Sequence, residues 1–173
     1  MFNAAVRVGY PPDELVGRYQ PLLVAGMKEW PSFKVDFGSS NGMENAGLLD
    51  ALNDMLLQCW RGYLEFFPCW PPSTSGSFAG MRARGAFTVS ARYDAARAAD
   101  KIGSIEVSSE AGVRCLFASP WPDAKTAGDL VVQELPGGKL VPVEPVQVRG
   151  ARVFWFETQA GKRYSIGAKD LHR

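Results

Sequence analysis

From Met81 to Tyr93, small or apolar residues take every odd position: Met81, Ala83, Gly85, Phe87, Val89, Ala91 and Tyr93. Polar residues take most of the even ones: Arg82, Arg84, Thr88, Ser90 and Arg92. Side chains alternate across a strand, so a period of two held over this length predicts one long strand, with one face buried and one wet. The strand follows an aromatic, proline-rich stretch, Phe66-Phe67-Pro68-Cys69-Trp70-Pro71-Pro72. That stretch in turn follows a helical pattern ending near Trp60. Helix, aromatic hinge and strand, in this order, organise the chain.

Upstream, residues 1–61 read as helices and loops. Pro11-Pro12-Asp13-Glu14 marks a helix start, with prolines ahead of the first turn and acids at the positive end of the helix dipole. Leu15, Val16, Tyr19, Leu22 and Leu23 follow at helical spacing, and Pro21 is expected to kink or interrupt them. Residues 28–45 read mainly as loop. A second helix is predicted from about Ala46 to Arg61, with Leu48, Leu49, Leu52, Met55, Leu56 and Trp60 as its apolar stripe and Gly62 closing it. From Tyr63 onward the pattern is strand-like. Segments 63–67, 102–109, 113–117, 130–134, 139–143, 152–158 and 162–166 join strand 81–93. Glu110-Ala111-Gly112 reads as a tight turn, and Pro136-Gly137-Gly138 and Gln159-Ala160-Gly161 read as hairpins. The expected fold is mainly β with a helical N-terminal part (α+β): an antiparallel β-sandwich, residues 62–173, preceded by two or three helices.

Composition narrows the function classes. Hydrophobic residues at 46% and aromatics at 12% are ample for a core, and the 173 residues suit one domain or a domain with an appendage. The net charge of +1 and the lack of a basic run remove the electrostatic attraction that draws proteins to nucleic acid. No apolar stretch is long enough for a membrane span. Cys59, Cys69 and Cys115 form no CxxC pair, and His172 is the single histidine, so a zinc site of the usual Cys/His type is not expected. The cysteines read as reduced, small hydrophobes. Arg82 and Arg84 fall on the wet face of strand 81–93, where contact with an anionic ligand competes with pairing across strands. Trp155, between Phe154 and Phe156, reads as core.

A series of segments resembles one family. Ala5–Tyr10 (AVRVGY), Asn41–Asn45 (NGMEN), Ala51–Gln58 (ALNDMLLQ), Phe66–Pro71, Phe78–Ala91 (FAGMRARGAFTVSA), Ser109–Gly112 and Ser119-Pro120-Trp121 occur in the order seen in the C-terminal part of glycoside hydrolase family 95 proteins of the α-L-fucosidase type. The resemblance implies an (α/α)6 catalytic barrel followed by a C-terminal β-sandwich, with residues 1–61 as the end of that barrel. It implies inverting hydrolysis of a carbohydrate without metal or organic cofactor. That chemistry uses a carboxylic acid on the leaving oxygen and a carboxylate that activates water, roughly 6.5–9.5 Å apart.

Carried onto this sequence, the resemblance makes Glu44 the candidate base, in a position where the fucosidases have aspartate followed by Gly-Asn, with Asn45 beside it. Asp36, in the preceding loop, is the second choice for that role. The competing reading makes Glu44 an N-terminal carboxylate that caps helix 46–61. Trp60 and Trp70 are candidates for stacking on sugar, against the alternative that they pack helix to sheet. A twelve-helix barrel does not fit into 61 residues. The expectation is therefore a C-terminal fragment or accessory domain, inactive alone, with the barrel supplied elsewhere or the bared helix face covered by self-association. A stand-alone sandwich that binds carbohydrate or protein is the alternative.

Overall fold

The computed structural model describes residues 2–27, 43–97 and 100–169, with only the backbone described at Phe2, Tyr19, Leu22, Leu23, residues 25–27 and residues 43–48, among them Glu44 and Asn45. The chain divides into two compact units: Met1–Leu56 with Pro68–Pro72, and Leu57–Phe67 with Ser73–Arg173.

The first unit contains α1 (Phe2–Arg7), α2 (Pro12–Met27) and α3 (Met43–Leu56). Pro12 opens α2, with Asp13 and Glu14 in its first turn, and the helix continues on both sides of Pro21. Of the kink or interruption expected there, the interruption does not occur. Val6, Leu15, Ala51, Met55 and Cys69 form the core, with Ala5, Tyr10, Val16 and Trp70 packed against it. Arg7 pairs with Asp54 at 2.7 Å, and Asn3 donates to Asp50, so polar contacts border the α1–α3 packing.

Two expectations about α3 change. The helix begins at Met43 and ends at Leu56 instead of running from 46 to 61, because Leu57 and Gln58 turn extended and pair with Phe66 and Glu65. Gly62 therefore sits in a turn between strands at φ +96°, its N–H bonded to the Cys59 carbonyl at 3.2 Å. The buried face runs through Ala51 and Met55, four residues apart. Leu49 and Leu52, expected in the buried stripe, are 63% and 42% exposed. A six-residue α1 covers only a narrow strip of its neighbour.

The second unit is a β-sandwich. Its larger sheet holds β3 (Gly76–Ala83), β4 (Phe87–Tyr93), β5 (Ile105–Ser109), β11 (Lys162–Ala168), β7 (Leu130–Leu135) and β8 (Lys139–Val141), side by side in that order. The smaller sheet holds β6 (Cys115–Phe117), β10 (Ala151–Phe156) and β9 (Glu144–Val148). A short ladder of β1 (Leu57–Gln58) and β2 (Glu65–Phe66) adjoins it, since Leu64 bridges in parallel to Phe117. Phe117 and Phe156 meet edge to face at 6.1 Å, and Phe156 meets Tyr164 of the other sheet at 5.3 Å. Val89, Val107, Ile105, Val132 and Ile166 close the core from the larger sheet. Burying each such side chain contributes roughly 1.5–3 kcal/mol.

The single long strand predicted over 81–93 is instead a hairpin of β3 and β4. Gly85 (φ +88°) and Ala86 (φ +56°) reverse the chain. Ala83 pairs with Phe87 and Met81 with Val89, so a three-residue loop joins positions of the same parity. The alternation therefore runs through the reversal without a break. Upstream, a bulge between Phe78 and Met81, with Gly80 at φ +70°, shifts the inward set to even positions.

The Gln159-Ala160-Gly161 turn also differs from its prediction: β10 and β11 do not pair, and the chain passes there from one sheet to the other. Glu110-Ala111-Gly112 makes the same change between β5 and β6. The two crossings are joined by buried hydroxyls. Ser109 Oγ lies 2.8 Å from Thr158 Oγ1, and Thr158 Oγ1 donates to the Val113 carbonyl at 2.6 Å. The Gly112 N–H donates to Ser109 Oγ at 3.1 Å, and the Gly161 N–H to the Ser109 carbonyl at 2.8 Å.

Candidate functional site

Glu44 and Asn45 are the second and third residues of α3, inside its first turn rather than ahead of it. The capping reading supposed a helix beginning at 46, and it is that helix start which is corrected. Asp36 lies outside the described residues. Trp70 is half-buried and packs against the core of the helical unit. Trp60 belongs to the sandwich unit and is 37% exposed. Its indole N–H donates to Gln58 Oε1 at 2.8 Å, and the Arg61 guanidinium lies over its ring at 4.8 Å. Gln58 is itself buried, so the indole satisfies an amide oxygen that water does not reach. Trp60 and Trp70 thus belong to different units. Phe66 and Phe67, between them in sequence, are buried, with the Phe67 ring against Phe78 and Tyr93 at 5.4 and 5.5 Å.

Next to Trp60 in sequence, Cys59 lines a cleft of about 150 Å³ in the sandwich unit. Its apolar lining includes Tyr63, Leu64 and Phe87, all buried, and Arg84 and Arg114 border it. The two arginines reach it for different reasons. Arg84 follows the last residue of β3 and begins the Gly85–Ala86 reversal. Gly85 is required there twice over: its φ is positive, and a Cβ would fall 2.7 Å from the Phe87 ring. Arg114 immediately precedes β6. Its Nε donates to Glu157 at 2.7 Å, and its guanidinium stacks on the Trp155 ring at 4.3 Å. Trp155 is only half-buried, on the face of β10 opposite to Phe154 and Phe156, which corrects its reading as core.

The arginines of strand 81–93 separate in the structure. Arg82 pairs with Glu110 across the turn. Arg84 is exposed and has no acidic partner among the described residues. Elsewhere, burial raises the Glu65 carboxyl above the ordinary carboxylate range, partly opposed by Arg61 at 3.4 Å. Burial also pushes the Cys115 and Cys69 thiols up, whereas Cys59 is only half-buried. Among the described residues, no three His, Cys, Asp or Glu side chains gather where they could hold a metal ion. No described helix is long and apolar enough to cross a membrane.

The family model for the glycoside hydrolase family 95 C-terminal domain matches residues 58–166. The chain belongs to this family. The comparison with curated proteins gives no match. The matched family 95 segment runs from Gln58 in β1 to Ile166 in β11, so it takes in both sheets of the sandwich and every residue of the cleft. Helices α1–α3, with Glu44 and Asn45, lie ahead of it. Sequence reasoning passed over Arg114. Its signal was Arg114 alternating with the apolar Val113 and Cys115, but nothing local to that run reveals that β6 lies beside Trp155 and Leu64.

Proposed function

We propose that this chain acts as the accessory β-sandwich of a fucosidase-like, inverting glycoside hydrolase, and that its role is to support or complete a carbohydrate-active site without turnover by itself. The observation that carries this reading is the family 95 match, which falls on the sandwich and not on the helices. In this reading Glu44, with Asn45 beside it, is the candidate base and Asp36 and Trp70 are substrate-side candidates of the helical part, while Trp60 is a separate candidate for stacking on sugar in the sandwich unit. A lone carboxylate without an acid on the opposite side of the sugar lacks the double assistance that inversion needs.

Calorimetry with an α-L-fucosylated oligosaccharide and its unfucosylated parent tests the reading. Heat of binding with the fucosylated chain, and no hydrolysis of an aryl α-L-fucoside, are expected. No discrimination between the two chains would remove the fucosidase-like part. Turnover that disappears in Glu44→Gln would replace the accessory role with a catalytic one. A stand-alone binding module is the second reading, favoured by the cleft and by the half-open Trp60 ring.

A further inference from the structure

We infer that the cleft between Arg84 and Arg114 is a binding site for a single oxyanion group carried on a sugar, a sulfate ester or a uronate carboxylate. The inference rests on the carbohydrate context of the proposed function and goes further in naming an acidic glycan. At about 150 Å³ the cleft is well below the roughly 300–1,000 Å³ of sites that enclose a drug-sized ligand. It therefore accommodates one ring or one charged substituent of a longer chain. None of the residues lining it is acidic.

The two guanidinium groups have complementary roles. Arg114 is held on two sides, by the Nε bond to Glu157 at 2.7 Å and by the Trp155 ring at 4.3 Å, so little side-chain freedom is left to lose on binding. Its terminal nitrogens have no other protein partner among the described residues. Glu157 neutralises much of its charge, and the unbalanced positive charge of the cleft comes from Arg84. An arginine fork matches the flat carboxylate or one edge of a sulfate, and such charge-assisted bonds are the strong ones. The buried Tyr63, Leu64 and Phe87 side chains keep water from one side of that contact, which strengthens it. They also offer an apolar surface to the sugar ring. A neutral saccharide would leave Arg84 with nothing but water.

The test is titration calorimetry at low ionic strength, where exposed charges are least screened, with four probes. These are a sulfated disaccharide, a uronate-bearing disaccharide, a neutral disaccharide and inorganic sulfate. At least one acidic disaccharide should bind about tenfold or more tightly than the neutral one. Arg84→Gln should weaken it by about tenfold to a hundredfold. Arg84→Lys, which keeps the charge and loses the fork, should fall between and guards against a folding defect. Arg149→Gln, in the β9–β10 turn, should bind like wild type. As a second readout, the acidic disaccharide should slow alkylation of Cys59, which lines the cleft.

Equal affinity for acidic and neutral disaccharides, or an unchanged Arg84→Gln, would overturn the inference. Inorganic sulfate binding as well as the acidic sugars would do the same, leaving a site for a free ion only. Acidic disaccharides binding while fucosylated chains do not would sustain this inference and sink the fucosidase-like reading; the reverse pattern would do the opposite.

Discussion

Gly112 and Gly161 stand at the two turns where the chain changes sheets, and replacing each by alanine separates two physical effects. Both have positive φ, +68° and +77°. An L-residue held in that region loses roughly 1–2 kcal/mol. At Gly161 nothing lies within 4 Å of an added Cβ, so Gly161→Ala should cost only that amount. At Gly112 the Cβ would sit 2.8 Å from the Ala160 backbone nitrogen and 3.4 Å from the Gln159 carbonyl carbon. Those atoms belong to the opposite turn and do not swing away as a side-chain tip would. Separating the turns stretches the bonds that tie them, the Ser109–Thr158 hydroxyl pair and the Gly161 N–H to the Ser109 carbonyl. Ser109 and Thr158 are 1% and 6% exposed, and a buried polar group left without its partner costs about 1–3 kcal/mol. Gly112→Ala should therefore lose about 2–5 kcal/mol. Urea unfolding followed by tryptophan fluorescence measures both variants, with the slopes compared to confirm that midpoints report stability. Equal losses in the two variants would refute the close approach of the turns.

Other outcomes follow from the same structure. Asp129 accepts from the Thr126 hydroxyl and backbone, and Glu134 accepts from Lys162 at 2.8 Å; both carboxyls are held below their ordinary range. A depressed folded pKa gives stability that is present above the ordinary carboxylate pKa and lost as pH falls below it, so urea midpoints should fall on acidification below about pH 4, and Asp129→Asn or Glu134→Gln should flatten the fall. Glu65 acts in the opposite sense. Its raised pKa makes the folded state take up a proton first as pH drops, so Glu65→Gln should steepen the decline; a shallower one would contradict its burial. Val24, Leu49 and Leu52, at 52%, 63% and 42% exposed, should promote self-association, seen by light scattering as a mass that rises with concentration and returns to the monomer in Leu49→Glu/Leu52→Glu. A constant monomer mass would argue against it.

Much of the fold was legible because its signals are local. The helix start at Pro12-Asp13-Glu14, the hairpin at Pro136-Gly137-Gly138 and most core strands announce themselves within a few residues. β9 was missed because Pro145 lowers the strand signal, and the structure accommodates it by placing β9 at a sheet edge, where a missing N–H costs least. The candidate site was less legible. Trp60, Trp70 and Glu44 were chosen by residue type and resemblance, and Trp70 packs in a core. Arg84 was visible as an exposed arginine, but its freedom and the pairing of Arg82 with Glu110 depend on which strand comes alongside.

Residue order alone determined that this chain alternates, that its helices precede its strands, and which family it resembles, since periodicity and motif order need no partner. The tertiary structure decided where the alternation folds back, because an odd-numbered loop keeps parity and leaves no trace in the pattern. It also decided which turns join paired strands and which pass between sheets, and it brought Arg84 and Arg114 to one cleft. Those outcomes depend on contacts between segments far apart in sequence, whose energies are fixed only once the two sheets have packed.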